Sequence, residues 1–163
     1  MKDPIDALLE RGQEDKAHPE PGMAPEPRSA VAVVACMDAR VEMGRLLGLR
    51  PGDAHVIRNA GGIVTRDVIR SLSVSQAILG TRAVMLVMHT RCGMHQPGEA
   101  TLRERLVAAG VKPPEGTLGT FPDLEAELRR GRDRIRRSDA LLHKDAVRAF
   151  IYDVDAGALR EIA

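Results

Sequence analysis

The sequence predicts an α/β fold, a mostly parallel β-sheet flanked by helices, and three observations predict it. Two runs, residues 30–36 and 83–88, are apolar without alternation, as strands covered on both faces of a parallel sheet are. Amphipathic helical patterns fall between the strand candidates, the order expected of βαβ units. The 163 residues are 44% apolar but only 2% aromatic, so the core they build is aliphatic.

Residues 3–16 predict a short amphipathic helix with Ile5, Leu8 and Leu9 on one side. Pro19, Pro21, Gly22, Pro25 and Pro27 then predict an extended arm. The chain thus divides into a helix and Pro-rich arm over 1–29 and an α/β domain over 30–163. The domain begins with the first apolar run, Ala30 to Cys36, and a second strand, His55 to Arg58, follows the turn Pro51-Gly52-Asp53. A helix over 66–79 puts Val68, Leu72, Ser75 and Leu79 on one face with Ile69 and Ile78 alongside, capped by Thr65 and stopped by Gly80. The third strand, 83–88, precedes two helices, 98–109 and 122–137, whose expected buried positions are Leu102, Leu106, Leu124, Leu128 and Ile135. The run Val147 to Val154 alternates and reads as a later or edge strand. No internal repeat or second globular domain is evident.

A net charge of +1 gives no bulk field to attract nucleic acid or anionic lipid, and three aromatic residues make no stacking platform for single strands. Six arginines lie between Arg129 and Arg137, but Glu125, Glu127, Asp133 and Asp139 intersperse them, which predicts a solvated helix face or a subunit contact. The N-terminus carries no continuous apolar segment of signal-peptide type, and no run reaches the length of a membrane span. The expected location is the cytoplasm, with no nucleic-acid or membrane partner. Two cysteines, Cys36 and Cys92, are too few for a disulfide scaffold.

Those thiols stand at informative places. The first strand ends in Cys36-Met-Asp38-Ala-Arg40 and the third in His89-Thr-Arg-Cys92-Gly93. Functional groups in open α/β sheets collect at the carboxyl ends of strands, near the point where strand order reverses. If the first and third strands are neighbours, Cys36, His89 and Cys92 converge into a soft N/S ligand set that suits zinc. A fourth ligand must come from solvent, which zinc acidifies to a pKa of about 7, or from Asp38. Asp38 and Arg40, two residues apart, lie on the same side of an extended segment, where a guanidinium can hold a carboxylate bidentately. Held, Asp38 can orient a water on the ion; released, it can close the site as fourth ligand.

Cys-x-Asp-x-Arg, the segment from Gly52 to Gly62 and His-x-x-Cys-Gly, in that order, closely resemble the β-class carbonic anhydrases, and specifically the small bacterial type. The resemblance runs from about residue 30 to the last strand. It implies a parallel-sheet α/β fold, zinc on Cys36, His89 and Cys92, and an Asp38–Arg40 dyad. It also implies reversible hydration of carbon dioxide to bicarbonate and a proton, in homodimers or homotetramers. Backbone at Ala60, Gly61 and Gly62 can line the substrate pocket, glycine permitting close approach; a tight turn accounts for the same glycines. The alternatives are hydrolysis of carbonyl sulfide or carbon disulfide on the same zinc site, or a non-catalytic zinc-binding module closed by Asp38. Of the other histidines, His18 reads as solvated, His55 as packed and His95 as a surface loop residue that can relay protons, whereas His143 carries no signal.

Overall fold

The computed structural model describes residues 4–6, 8–9 and 21–163. Five strands, β1 (Val31–Cys36), β2 (His55–Asn59), β3 (Ala83–His89), β4 (Val147–Asp153) and β5 (Ala158–Ile162), form one sheet in the order β2-β1-β3-β4-β5. All neighbours run parallel except β4 and β5, which form an antiparallel hairpin. After β1 the chain pairs β2 on one side, then crosses back to pair β3 on the other. This reversal sets the carboxyl ends of β1 and β3 side by side, with Ala35 in register with Val87.

The apolar runs become the interior strands for the expected reason: Ala32 to Cys36 are all buried, as are Leu86 to His89. One face of the sheet packs Val34, Leu86 and Ala149 against α2 (Arg66–Ala77) and α4 (Leu124–Arg136), through Val68, Leu72, Leu128 and Ile135. Leu72, Leu128 and Ile135 are each 1% exposed or less, and burying such a side chain stabilises by about 1.5–3 kcal/mol. The other face packs Val33, Ala35 and Val87 under a short helix, α1 (Met43–Leu47), with Met85, Phe150 and Leu159 only partly covered.

Local chemistry sets the helix ends. The Thr65 hydroxyl accepts from the Val68 amide at 3.2 Å, the predicted cap of α2. Asp123 caps α4 through the Ala126 amide at 3.0 Å. Glu42 starts α1 by accepting from the Gly44 and Arg45 amides, and Gly48 ends it in the left-handed conformation at φ 65°.

Some expectations are corrected. Strand β4 is a later strand, as expected, but not an edge: it lies between β3 and β5, and the edge on that side is β5, whose Arg160 and Glu161 gave no apolar pattern. Ile78 is 72% exposed, because it falls roughly 100° round the helix from the centre of the buried face. Gln76 takes a buried place instead, donating to the His143 carbonyl and accepting from the Leu142 and His143 amides. The third helix, α3 (Glu99–Ala108), buries no residue fully, and Leu102 and Leu106 are only half-buried.

Of the expected N-terminal helix, residues 4–6 and 8–9 are helical, with Ile5, Leu8 and Leu9 exposed. The remainder of that helix, His18 and the start of the arm lie outside the described residues. The arm is pinned from Pro25 onward. Arg28 donates to Asp53 Oδ1 through Nε at 3.0 Å and Nη2 at 2.7 Å. His55 Nε2 donates to the Pro25 carbonyl at 3.1 Å, which leaves Nδ1 to accept from the Ser75 hydroxyl at 2.8 Å. His55 is thus a packed structural residue, and Thr81 completes the buried chain by bonding the Ser75 hydroxyl at 2.8 Å.

The arginine-rich face of α4 is laced with ion pairs. Arg129 meets Glu125 at 3.0 Å, Arg137 meets Asp133 at 3.2 Å, and Arg130 pairs with the buried Glu127. Arg134 donates to the Val64 carbonyl at 2.9 Å.

Candidate metal centre

Cys36 is the last residue of β1 and His89 the last of β3, and Cys92 follows one turn later. The adjacency of the two strands brings all three together. Their Sγ, Sγ and imidazole nitrogen atoms lie within 4.8 Å of one another, and all three residues are buried. The sulfurs stand 3.9 Å apart, far beyond the roughly 2.05 Å of a disulfide.

His89 has no solvent exposure. Its Nδ1 donates to the Thr90 carbonyl at 2.8 Å, while Nε2 has no hydrogen-bond partner. A buried, unpartnered imidazole nitrogen is costly unless something is there to accept its lone pair. Fixing the tautomer through Nδ1 leaves Nε2 free as a donor atom, the arrangement metal-binding histidines use. The donor set therefore fits a soft divalent ion such as zinc.

The electrostatics separate the three groups. The hydrogen bond from Cys92, with help from His89, lowers Cys36 well below the ordinary thiol range against the opposing effect of burial. That thiolate, together with burial, pushes Cys92 far above the ordinary thiol range. Burial opposes charge on His89, but the Cys36 thiolate outweighs it and the net direction is upward.

Asp38 lies beside this cluster, its Oδ2 3.7 Å from His89 Nε2. Arg40 holds it away: Nε donates to Oδ1 at 3.0 Å, Nη2 to Oδ2 at 2.7 Å and the Arg40 amide to Oδ1 at 2.9 Å. These bonds keep the Asp38 carboxyl well below the usual range. A depressed value stabilises the fold above the unfolded pKa of about 3.9, and the contribution is lost as pH falls below it.

Arg58, to which sequence reasoning gave no role, braces the same segment. It donates through Nε to the Cys36 carbonyl at 2.9 Å and through Nη2 to the Asp38 carbonyl at 2.8 Å. The available signal was register: Arg58 faces Ala35 across the β1–β2 pair, one residue short of the cysteine.

The segment Ala60–Gly62 forms a 3-10 turn, closed by Asn59, whose side chain bonds both the amide and the carbonyl of Ile63. Gly62 presses on the site itself. It adopts φ +68°, and a Cβ there would sit 2.7 Å from the Cys36 amide nitrogen and 3.1 Å from the Val87 carbonyl oxygen. We expect Gly62→Ala to lose about 3 kcal/mol of stability from left-handed strain plus overpacking. Urea denaturation checks this, and an unchanged midpoint would contradict it. Gly61, at φ +85°, abuts Phe121 and Met94. Ala60 lies on the wall of a broad open groove with Ile57, Ile63, Val64 and Leu118, and that groove includes none of Cys36, Asp38, His89 and Cys92. His95 stacks on Phe121 with centroids 5.7 Å apart and bonds the Pro122 carbonyl at 3.1 Å.

Residues 31–149 match the carbonic anhydrase family model. The chain belongs to the β-carbonic anhydrase family. It is 41% identical over 140 residues to β-carbonic anhydrase 1 of Mycobacterium tuberculosis, covering 83% of each chain. A crystal structure of carbonic anhydrase from Streptococcus mutans superimposes with a TM-score of 0.89 at 34% identity, covering 100% of this chain and 99% of that one. A carbon disulfide hydrolase of Acidithiobacillus thiooxidans is also similar, 31% identical over 148 residues and covering 78% of this chain and 74% of its own. As a β-carbonic anhydrase family member the chain is a zinc-dependent lyase, and its Cys36, His89 and Cys92 are arranged as possible ligands for that zinc.

Proposed function

We propose that this chain hydrates carbon dioxide reversibly to bicarbonate and a proton at a zinc ion held by Cys36, His89 and Cys92. The carrying observation is the buried His89 Nε2, which has no hydrogen-bond partner and faces two thiols 3.9 Å apart. Zinc, when bound there, supplies a Lewis acid that makes water nucleophilic near neutral pH. Asp38, kept ionised by Arg40, accepts a hydrogen bond from the attacking water and orients it. Arg40 also keeps Asp38 from serving as a fourth ligand, and Arg58 fixes the carbonyls on either side of Met37. We assign the backbone at Gly61 and Gly62 to the substrate side, since Gly62 abuts the Cys36 amide, whereas Ala60 lines the open groove away from the ligands.

The similarity to carbon disulfide hydrolases supports a second reading, hydrolysis of carbon disulfide or carbonyl sulfide on the same residues. Stopped-flow hydration of carbon dioxide, run beside a hydrogen sulfide release assay on the same zinc-loaded protein, separates the two. Fast hydration with negligible sulfide release is expected, and the converse would overturn the proposal.

The unit carrying this chemistry is residues 30–163, with 1–29 as an arm that packs on a second copy in a homodimer or homotetramer. Exposed Ile5, Leu8 and Leu9 and the partly covered second face of the sheet support that assembly. Light scattering on the same sample should give a multiple of the 17.7 kDa chain mass. We place the protein in the cytoplasm, where thiols such as Cys36 and Cys92 stay reduced. No helix among the described residues is long and apolar enough to cross a membrane.

A further inference from the structure

The geometry points to Arg91 and Asp155 as a clamp that positions Arg40 against Asp38. This inference rests on the catalytic reading of that dyad. Arg40 Nη2 carries two hydrogens and uses both, one on Asp38 Oδ2 at 2.7 Å and the other on the Arg91 carbonyl at 3.0 Å. The guanidinium is therefore anchored at two points. It cannot turn away from Asp38 without giving up the second.

The Arg91 carbonyl is where it is because Arg91 is left-handed, at φ 55°. That conformation is sterically unfavourable for any residue with a Cβ, so ease of backbone geometry does not account for an arginine there. What the arginine adds is its side chain, whose Nη1 donates to Asp155 Oδ1 at 2.6 Å. Each partner's side chain is 64% exposed, so the ion pair contributes little as a stability device. Its effect is geometric, because it fixes the residue whose carbonyl holds Arg40.

Asp155 is a firm base for this. It lies in the β4–β5 turn, where Asp153 Oδ1 accepts from the Asp155 amide at 2.9 Å and the Ala156 amide at 3.1 Å. The same turn grips the residue before Arg91: the Val154 amide donates to the Thr90 hydroxyl at 3.1 Å, and the Thr90 amide to the Tyr152 carbonyl at 2.9 Å. The chain of contacts thus runs from Asp155 to Arg91, from the Arg91 carbonyl to Arg40, and from Arg40 to Asp38. The negative charge of Asp155 also favours the charged form of Arg40, behind the larger effect of Asp38. Asp155 is a positioning residue: it bonds neither Asp38 nor any of the three candidate ligands, and it acts through Arg91 and Arg40.

The test uses zinc-loaded protein carrying Asp155→Ala, Arg91→Ala, or the exchanged pair Arg91→Asp with Asp155→Arg. Each single variant should lower kcat for carbon dioxide hydration about two- to fivefold, with KM, zinc content and thermal midpoint unchanged. In 15N-labelled protein the Arg40 Nε–H proton should exchange with solvent about two- to fivefold faster in each single variant. The exchanged pair should restore both the rate and the protection. Unchanged Arg40 Nε–H exchange in both single variants would overturn the clamp, whatever happens to kcat. If the unmutated protein hydrates no carbon dioxide, the catalytic reading fails, and the exchange measurement still decides whether the clamp exists.

Discussion

Cys36→Ala and His89→Ala should each yield a folded protein almost devoid of zinc, with carbon dioxide hydration reduced more than about a thousandfold. The reason is the ligand count. Three donor atoms lie within 4.8 Å of one another, and removing one leaves two donors and solvent to hold the ion. A thousandfold loss corresponds to about 4 kcal/mol of barrier, within the several kcal/mol a Lewis-acid centre supplies. Metal analysis by mass spectrometry, read beside stopped-flow rates, checks both halves. A full zinc complement in either variant would remove that residue from the ligand set. The same chemistry sets the pH dependence of loading. Cys92 is held protonated beside the Cys36 thiolate, so zinc uptake must displace its proton. Affinity should therefore rise with pH, and acid should strip the ion.

Asp38→Asn should behave oppositely with respect to the metal: zinc stays, and kcat falls by roughly 10²–10³. Asparagine matches the carboxylate in shape, and the three donor atoms are untouched. What changes is the partner of Arg40. The 3.0 and 2.7 Å bonds from the guanidinium to the two carboxylate oxygens cannot both survive when one oxygen becomes an NH2 group. The attacking water loses an ionised acceptor at the same time. Because the loss falls on the reacting state, kcat and kcat/KM should drop together. Wild-type activity with a full zinc content would remove Asp38 from the mechanism.

Sequence reading found the interior strands β1 and β3, the edge strand β2 and the longer helices, and it missed β5 and α1. Strands β1 and β3 were legible because both faces are covered, which leaves an unbroken apolar run. Strand β5 was not, since Arg148 pairs with Glu161 and Arg160 with Glu125 at 2.5 and 2.7 Å on the open edge, placing charges where alternation was sought. Helix α1 is five residues long, too short to show a period. At the centre, Cys36, His89, Cys92 and Asp38–Arg40 could be picked out because strand ends and residue types coincide. Arg58 and Asp155 could not, because their roles depend on carbonyls and on a turn that no side-chain pattern announces.

The ligand set also constrains how the protein folds. His89 ends β3 and Cys92 follows in the turn after it, but the two cysteines are 56 residues apart, joined only when β1 pairs in parallel with β3. Closing so long a loop carries an entropic cost that the β1–β3 pairing must meet. His89 and Cys92 alone would hold zinc only loosely, and all three donors come together only once β1 has paired with β3. The ion therefore acts as a lock on the completed β1–β3 pairing rather than as a nucleus for it, so metal should slow unfolding more than it speeds folding.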